Sequence, residues 1–145
     1  MVREERILRL SSREAELDMA IVVVDDDEDV RDAVREILQL EGYSTEGAAN
    51  GEEALKLLRE SSARPCLILL DLMMPVMDGW EFLTLIDEEP GFHGIPVAIM
   101  SAHPSIRRAF DRGRGKDGST RMLLPKPLNL LRLLSVVHDV CPGCD

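Results

Sequence analysis

The chain has 145 residues, enough for one domain with a buried core. Its formal net charge of −10 argues against direct nucleic-acid binding, which draws on basic patches, and fits protein partners or a bound cation. Apolar residues make up 45%, and no apolar stretch approaches the ~20 residues of a membrane span. The opening Met1-Val2-Arg3-Glu4-Glu5-Arg6 is charged and leads into no long apolar segment, so no secretory signal is expected and the chain reads as cytoplasmic.

Residues 1–18 are dense in alternating charge. Ile7, Leu10 and Leu17 have near-heptad spacing, but Glu14 interrupts it, so a solvated extension is favoured over a dimerising helix, with a monomer or weak dimer as the expected state. Ala20 to Asp25 reads as a first strand. A first helix follows over Glu28 to Glu41, with Val30, Ala33, Val34, Ile37 and Leu38 on one face, and Gly42 stops it. Tyr43 to Gly47 is a weak second strand. Asn50-Gly51 opens a second helix with Ala54, Leu55, Leu57 and Leu58 inward. After Pro65, the run Cys66-Leu67-Ile68-Leu69-Leu70 is a third strand ending at Asp71. Gly79 precedes a third helix from Trp80 to Asp87, and Pro90, Gly91 and Gly94 mark a loop.

Pro96 to Ser101 is the fourth strand. Pro104 suits the first turn of a further helix with Ile106, Ala109 and Phe110 inward, before the glycine-rich Arg112-Gly113-Arg114-Gly115-Lys116-Asp117-Gly118. Met122-Leu123-Leu124 is a short fifth strand running into Pro125-Lys126-Pro127. The last helix covers Leu128 to Val140, with Leu130, Leu133, Leu134 and Val137 toward the sheet, and residues 141–145 form a short tail. Strands alternating with helices over residues 19–140 predict one doubly wound α/β domain.

Uninterrupted Val/Ile/Leu runs are strands of a parallel sheet buried on both faces, and ligands of such sheets collect at the carboxyl ends of the strands. Asp25, Asp26, Asp71, Ser101 and Lys126 all stand at or just past such ends. Crowded carboxylates repel unless a cation sits among them, and few hard oxygen ligands with room for water and phosphate suit Mg²⁺. Asp71 is then a candidate nucleophile toward a phosphoryl group, forming an aspartyl phosphate. Mg²⁺ and the Lys126 ammonium would neutralise the phosphoryl oxygens, and the Ser101 hydroxyl would donate to a third.

Four motifs in register resemble the receiver domain of two-component response regulators. They are Val22-Val23-Val24-Asp25-Asp26-Asp27, Leu70-Asp71-Leu72-Met73-Met74-Pro75-Val76-Met77-Asp78-Gly79, Ser101-Ala102 and Lys126-Pro127. The resemblance covers Met19 to Val140. It implies a flavodoxin-like five-stranded parallel sheet of order 2-1-3-4-5 with helices on both faces. It implies Asp71 as phosphoacceptor from a histidine kinase or phosphotransfer protein. Mg²⁺ would be held directly by Asp26, Asp71 and the Met73 backbone carbonyl, and by Asp25 largely through water. Ser101 becomes the switch hydroxyl, Lys126 the phosphate partner, and Pro127 follows a cis peptide bond. Output would pass to a downstream protein that the sequence does not name. The chain would be no enzyme beyond assisting its own phosphorylation and slow dephosphorylation.

Two departures stand out. Receivers usually carry Tyr or Phe three residues before the lysine, whereas this chain has Leu123. The basic, glycine-rich 112–118 segment replaces the apolar, alanine-rich end typical of the family, and mobility, a different partner surface or both are expected there, with an acidic partner as the docking hypothesis. Both leave a phosphorylation-independent receiver-fold adaptor as the alternative. A haloacid-dehalogenase-type phosphatase is disfavoured, because only Asp139 and Asp145 follow the lysine, both in or beyond the last helix rather than at the end of a later strand, and there is no cap insertion. A calcium loop fails because Val30 occupies the position that needs Gly, and no glycine-rich nucleotide loop is present.

Asp27, Glu28 and Asp29 read as first-turn acids at a helix start and Asp78 as a turn or cap residue. Trp80 is expected to pack within its helix, and His103 is either a surface residue or an influence on dephosphorylation. Of the three cysteines, Cys66 reads as a core residue, and Cys141-Pro142-Gly143-Cys144 as an exposed tail despite its redox-motif spacing.

Overall fold

Four apolar residues with no polar interruption, Ile21–Val24, form β1, and all four are fully buried. A strand reads this way only when helices cover both faces of its sheet. In the computed structural model, residues 20–60, 64–103 and 121–141 are described. The elements are β1, α1 (Glu28–Leu40), β2 (Thr45–Ala48), α2 (Gly51–Arg59), β3 (Leu67–Asp71), α3 (Gly79–Glu88), β4 (Val97–Ser101), β5 (Arg121–Pro125) and α4 (Leu130–Val140). The five strands are parallel in the order β2-β1-β3-β4-β5, the expected flavodoxin-like topology. The chain starts in the middle of the sheet, winds outward to β2, then returns past β1 to build β3, β4 and β5.

Because side chains alternate across a strand, the sheet divides its apolar residues between two clusters. Val22, Val24, Ile68, Leu70 and Ile99 meet Leu55 and Leu58 of α2 and Phe82 and Ile86 of α3. Ile21, Val23, Leu67, Leu69, Ala98 and Met100 meet Val34 and Leu38 of α1 and Leu133 and Val137 of α4. Each fully buried Leu, Ile or Phe contributes roughly 1.5–3 kcal/mol, so these two layers hold the fold.

The helix starts follow from capping chemistry. Asp27 accepts from the backbone N–H groups of Asp29 and Val30, Asn50 from Glu53, and Asn129 from Arg132. Asp78 and Glu81 form a reciprocal capping box at α3. Asp27 and Asp78 are thus the end-of-helix residues the sequence predicts.

Some expectations fail. Ala33 is exposed, because the buried stripe of α1 is as narrow as Val34 and Leu38, flanked by half-buried Val30 and Ile37. Leu130, the first residue of α4, is exposed rather than turned to the sheet. Trp80 is 41% exposed and not the packing residue expected, because Phe82, Leu83 and Ile86 take the inward face of α3. Cys141 is buried rather than part of an exposed tail, and it is disulfide-bonded to Cys66. The helix expected from Pro104, the 112–118 segment, residues 1–18 and Cys144 lie outside the described residues.

Candidate functional site

The sheet register brings the predicted residues to one edge. Val24 of β1 is level with Leu70 of β3, so Asp25 and Asp71 each stand one residue past that level on adjacent strands. Asp71 is level with Met100, so Ser101 ends β4 one residue further on, and Ser101 is level with Pro125, just before Lys126. The Lys126 N–H donates to the Ser101 carbonyl (2.9 Å), joining the two strand ends, and the Lys126–Pro127 peptide is cis as expected.

Asp25 is 1% and Asp71 7% exposed, whereas Asp26 is open to solvent. One carboxylate oxygen from each lies within 4.8 Å of the others. Lys126 Nζ stands 3.5 Å from Asp25 Oδ2 and 3.8 Å from Asp71 Oδ2, bridging the two buried acids. Burial pushes the Asp71 carboxyl above its ordinary value. The Met73 N–H and the Lys126 charge oppose this, while Asp25 and Asp26 reinforce it.

Asp25 is fixed from three sides. Its N–H donates to the Ala48 carbonyl (3.1 Å) and its carbonyl accepts from Arg31 Nη1 (2.9 Å). Its Oδ1 accepts from the Asp27 N–H at 2.9 Å. Its Oδ2 is buried and accepts no hydrogen bond. Lys126 is the cation near this oxygen, and it is shared with Asp71, so two buried carboxylates face one ammonium. Together with the all-oxygen donor set, this makes the three acids a fitting site for a hard divalent cation.

The segment after Asp71 is shaped around it. Asp71 Oδ1 accepts from the Met73 N–H at 3.2 Å, which orients the carboxylate. The Gly79 N–H donates to the Leu72 carbonyl at 3.0 Å. A Cβ at Gly79 would stand 2.7 Å from Leu72 Cα and 2.9 Å from the Asp71 carbonyl oxygen, so only glycine lets α3 begin this close to Asp71. Between them, Met77 N–H donates to the Pro75 carbonyl (2.8 Å) across Val76, whose φ is 67°. This is a γ-turn with a β-branched residue in the left-handed region, a strained choice. It presents the Met77 carbonyl to the Gly51 N–H (3.1 Å), tying the loop to the start of α2.

All the side chains predicted for the site therefore meet at one sheet edge, and Met73 lies in the loop beside them. Ser101 Oγ accepts from the His103 N–H (3.1 Å), and His103 is exposed at the same edge. Leu123 is half-buried against the cluster that holds Val97 and Ile99. Sequence reasoning missed Arg31 and Val76. An arginine six residues after the first acid reaches back one and a half helical turns, a spacing that no short motif encodes. A left-handed valine leaves no compositional mark.

An open parallel sheet ordered 2-1-3-4-5, with acids gathered at the carboxyl ends of its central strands, is the CheY-like form of the flavodoxin-like fold. The chain belongs to the response regulator receiver domain family of two-component systems, whose profile matches residues 21–138. It is 38% identical over 115 residues to the response regulator MprA of Mycolicibacterium vanbaalenii, covering 79% of this chain and 47% of that protein. The chain thus spans about half the length of such curated relatives. An uncharacterized 14.6 kDa protein from the sodA1 3′ region of Leptolyngbya boryana is 36% identical over 123 residues, covering 85% of this chain and 90% of that one. Among solved structures, the chemotaxis protein CheY4 of Vibrio cholerae superposes with a TM-score of 0.70 at 32% identity, covering 85% and 98% of the two chains. A response regulator receiver protein from Pseudomonas putida gives 0.72 at 26% identity, covering 84% and 97%. No helix among the described residues is long and apolar enough to cross a membrane.

Proposed function

We propose that the chain is a cytoplasmic phosphoacceptor that takes a phosphoryl group onto Asp71 from the phosphohistidine of a histidine kinase or phosphotransfer protein. The signal then passes to a downstream protein through surface contacts. The observation that carries the reading is the buried pair Asp25 and Asp71 sharing one lysine, with the Asp26 carboxylate beside them.

In this reading the Asp71 carboxylate attacks phosphorus, the N–P bond breaks, and the imidazole leaves and takes up a proton. The Met73 N–H on Oδ1 fixes the plane of the attacking group. Lys126 balances the charge of the phosphoryl oxygens, and Ser101 turns its hydroxyl to donate to one of them. Asp26, Asp71 and the Met73 carbonyl would hold Mg²⁺, with Asp25 acting through water, and the ion would supply further charge neutralisation at the phosphoryl group. The chain acts on itself and turns over no separate substrate. It works as a monomer or weak dimer.

Leu123 favours a second reading, a phosphate-independent adaptor, because a half-buried leucine offers no hydroxyl or ring to follow the Ser101 hydroxyl. Phosphoramidate, whose N–P bond mimics phosphohistidine, separates the two. Phosphoacceptor chemistry gives a Mg²⁺-dependent, hydroxylamine-labile shift on a phosphate-affinity gel that disappears in Asp71→Asn. The adaptor gives no shift while still binding its partner.

A further inference from the structure

The pole of the molecule opposite the acids holds a second reactive group. Cys66 immediately precedes β3 and Cys141 caps the end of α4. A helix that follows a parallel strand runs back toward the amino edge of the sheet. That return brings Cys141 to Cys66, across a sequence separation of 75 residues, where the two are bonded. Both are buried in the cluster containing Leu67, Tyr43, Leu133 and Val137. We propose that Cys66 and Cys141 form a reversible thiol–disulfide exchange site, through which a dithiol reductant sets whether the last helix is covalently joined to the central strand.

The fold does not need this bond in order to form. Disulfides substitute for a core in small secreted domains, whereas here β1, β3 and β4 are fully buried and helices pack on both faces. In the reducing compartment that the proposed function implies, disulfides that do form are mostly transient or redox-sensing. The reducing compartment rests on the phosphoacceptor reading above; the Cys66–Cys141 pairing and its chemistry do not.

Position suits exchange as well. Cys141 lies one residue past the helix, held by its N–H to the Val137 carbonyl at 2.8 Å. Fraying of a single terminal turn uncovers its sulfur, and such ends open most readily. The sequence continues Pro142-Gly143-Cys144, which gives the two-residue spacing of exchange motifs.

The chemistry balances with a dithiol reductant of the thioredoxin class. Its thiolate attacks Cys141 Sγ, the Cys66–Cys141 bond breaks, and Cys66 leaves as a thiolate that takes up a proton. The reductant's second thiol attacks the mixed disulfide, releasing Cys141 and closing the reductant's own disulfide, so two electrons pass to the pair. Closing a loop of 75 residues makes global unfolding of the bonded form roughly a thousandfold less favourable than that of the dithiol.

The test equilibrates the full chain in glutathione buffers from fully oxidised to fully reduced, quenches in acid, alkylates after denaturation and maps the peptides. We expect the cross-linked Cys66–Cys141 peptide to dominate at the oxidised end and to vanish at the reduced end, with the midpoint inside the series. Amide exchange over residues 133–140 should be faster in the reduced form, and Cys141→Ser should show the fast rate in both buffers. Asp71→Asn should give the same midpoint, so loss of phosphoacceptor activity leaves this result standing. A Cys66–Cys141 link that survives fully reduced glutathione would make the bond static and overturn the proposal. So would free thiols at both positions throughout the series, or an oxidised form linked through Cys141–Cys144 alone.

Discussion

Replacing Asp71 with Asn removes the charge on which the proposed chemistry depends, and the metal-free protein should become more stable. Lys126 Nζ at 3.8 Å offers Asp71 about 4.4 kcal/mol at an effective dielectric near 20. The Asp25 carboxylate, within 4.8 Å, takes back about 3.5 kcal/mol, and the exposed Asp26 a smaller, screened share. The pair interactions nearly cancel, so burial of the charge decides the balance and holds the Asp71 carboxyl above its ordinary value. Asn keeps the oxygen that accepts from Met73 and sheds the buried charge. The expected gain is about 1–2 kcal/mol at neutral pH, or roughly 3–8 °C in Tm.

The sign with pH is fixed by the raised value. The folded state holds the Asp71 proton more tightly than the unfolded chain, so the penalty on the wild type is full above the folded pKa. It fades as pH falls toward the ordinary value of 3.8 and is absent below it. Urea denaturation of both proteins at neutral pH and near pH 4 should show the Asn advantage shrinking with acidity. Saturating Mg²⁺ should reverse the order, because at a hundredfold excess over Kd a ligand adds about 2.7 kcal/mol to the protein that binds it. An Asn variant less stable than wild type at neutral pH without Mg²⁺ would refute the reasoning.

Gly79→Ala should cost about 1–3 kcal/mol and weaken Mg²⁺ affinity, since the added carbon meets the Leu72 backbone and the Asp71 carbonyl; chemical denaturation and a Trp80 fluorescence titration read the two effects. Val76→Gly should stabilise the chain by about 1 kcal/mol by relieving the left-handed valine, measured as a shift in urea midpoint with unchanged slope. Arg31→Ala leaves the Asp25 carbonyl without its donor and should raise the Mg²⁺ Kd several-fold, with Arg31→Lys recovering part of the loss; equal Kd values for all three proteins would contradict that positioning role.

The central strands are legible in the sequence because burial on both faces leaves no polar interruption. β1, β3 and β4 fall where the apolar runs place them, within a residue. The edge strand β2 is harder. The sequence places it at Tyr43 to Gly47 and it is found at Thr45–Ala48, because its Glu46 and Gly47 are half-exposed and carry little pattern. Arg35 and Gln39 secure it instead through Thr45 Oγ1, from the neighbouring helix. The site residues were legible because four short motifs each end a strand, and parallel topology gathers strand ends.

What stayed hidden depends on contacts remote in the chain. Cys141 and Cys66 are brought together by the return of the last helix, across a sequence separation of 75 residues that no local spacing encodes. Trp80 is exposed because Phe82, Leu83 and Ile86 take the inward face of α3.

Intact mass after incubation with Mg²⁺ and a small acyl phosphate tests the central claim most directly, with wild type and Asp71→Asn run side by side. The account predicts a single phosphoryl adduct on the wild type that requires Mg²⁺ and is absent from the variant. No adduct on the wild type, under conditions that modify an established receiver in the same buffer, would contradict it, as would an equal adduct on Asp71→Asn.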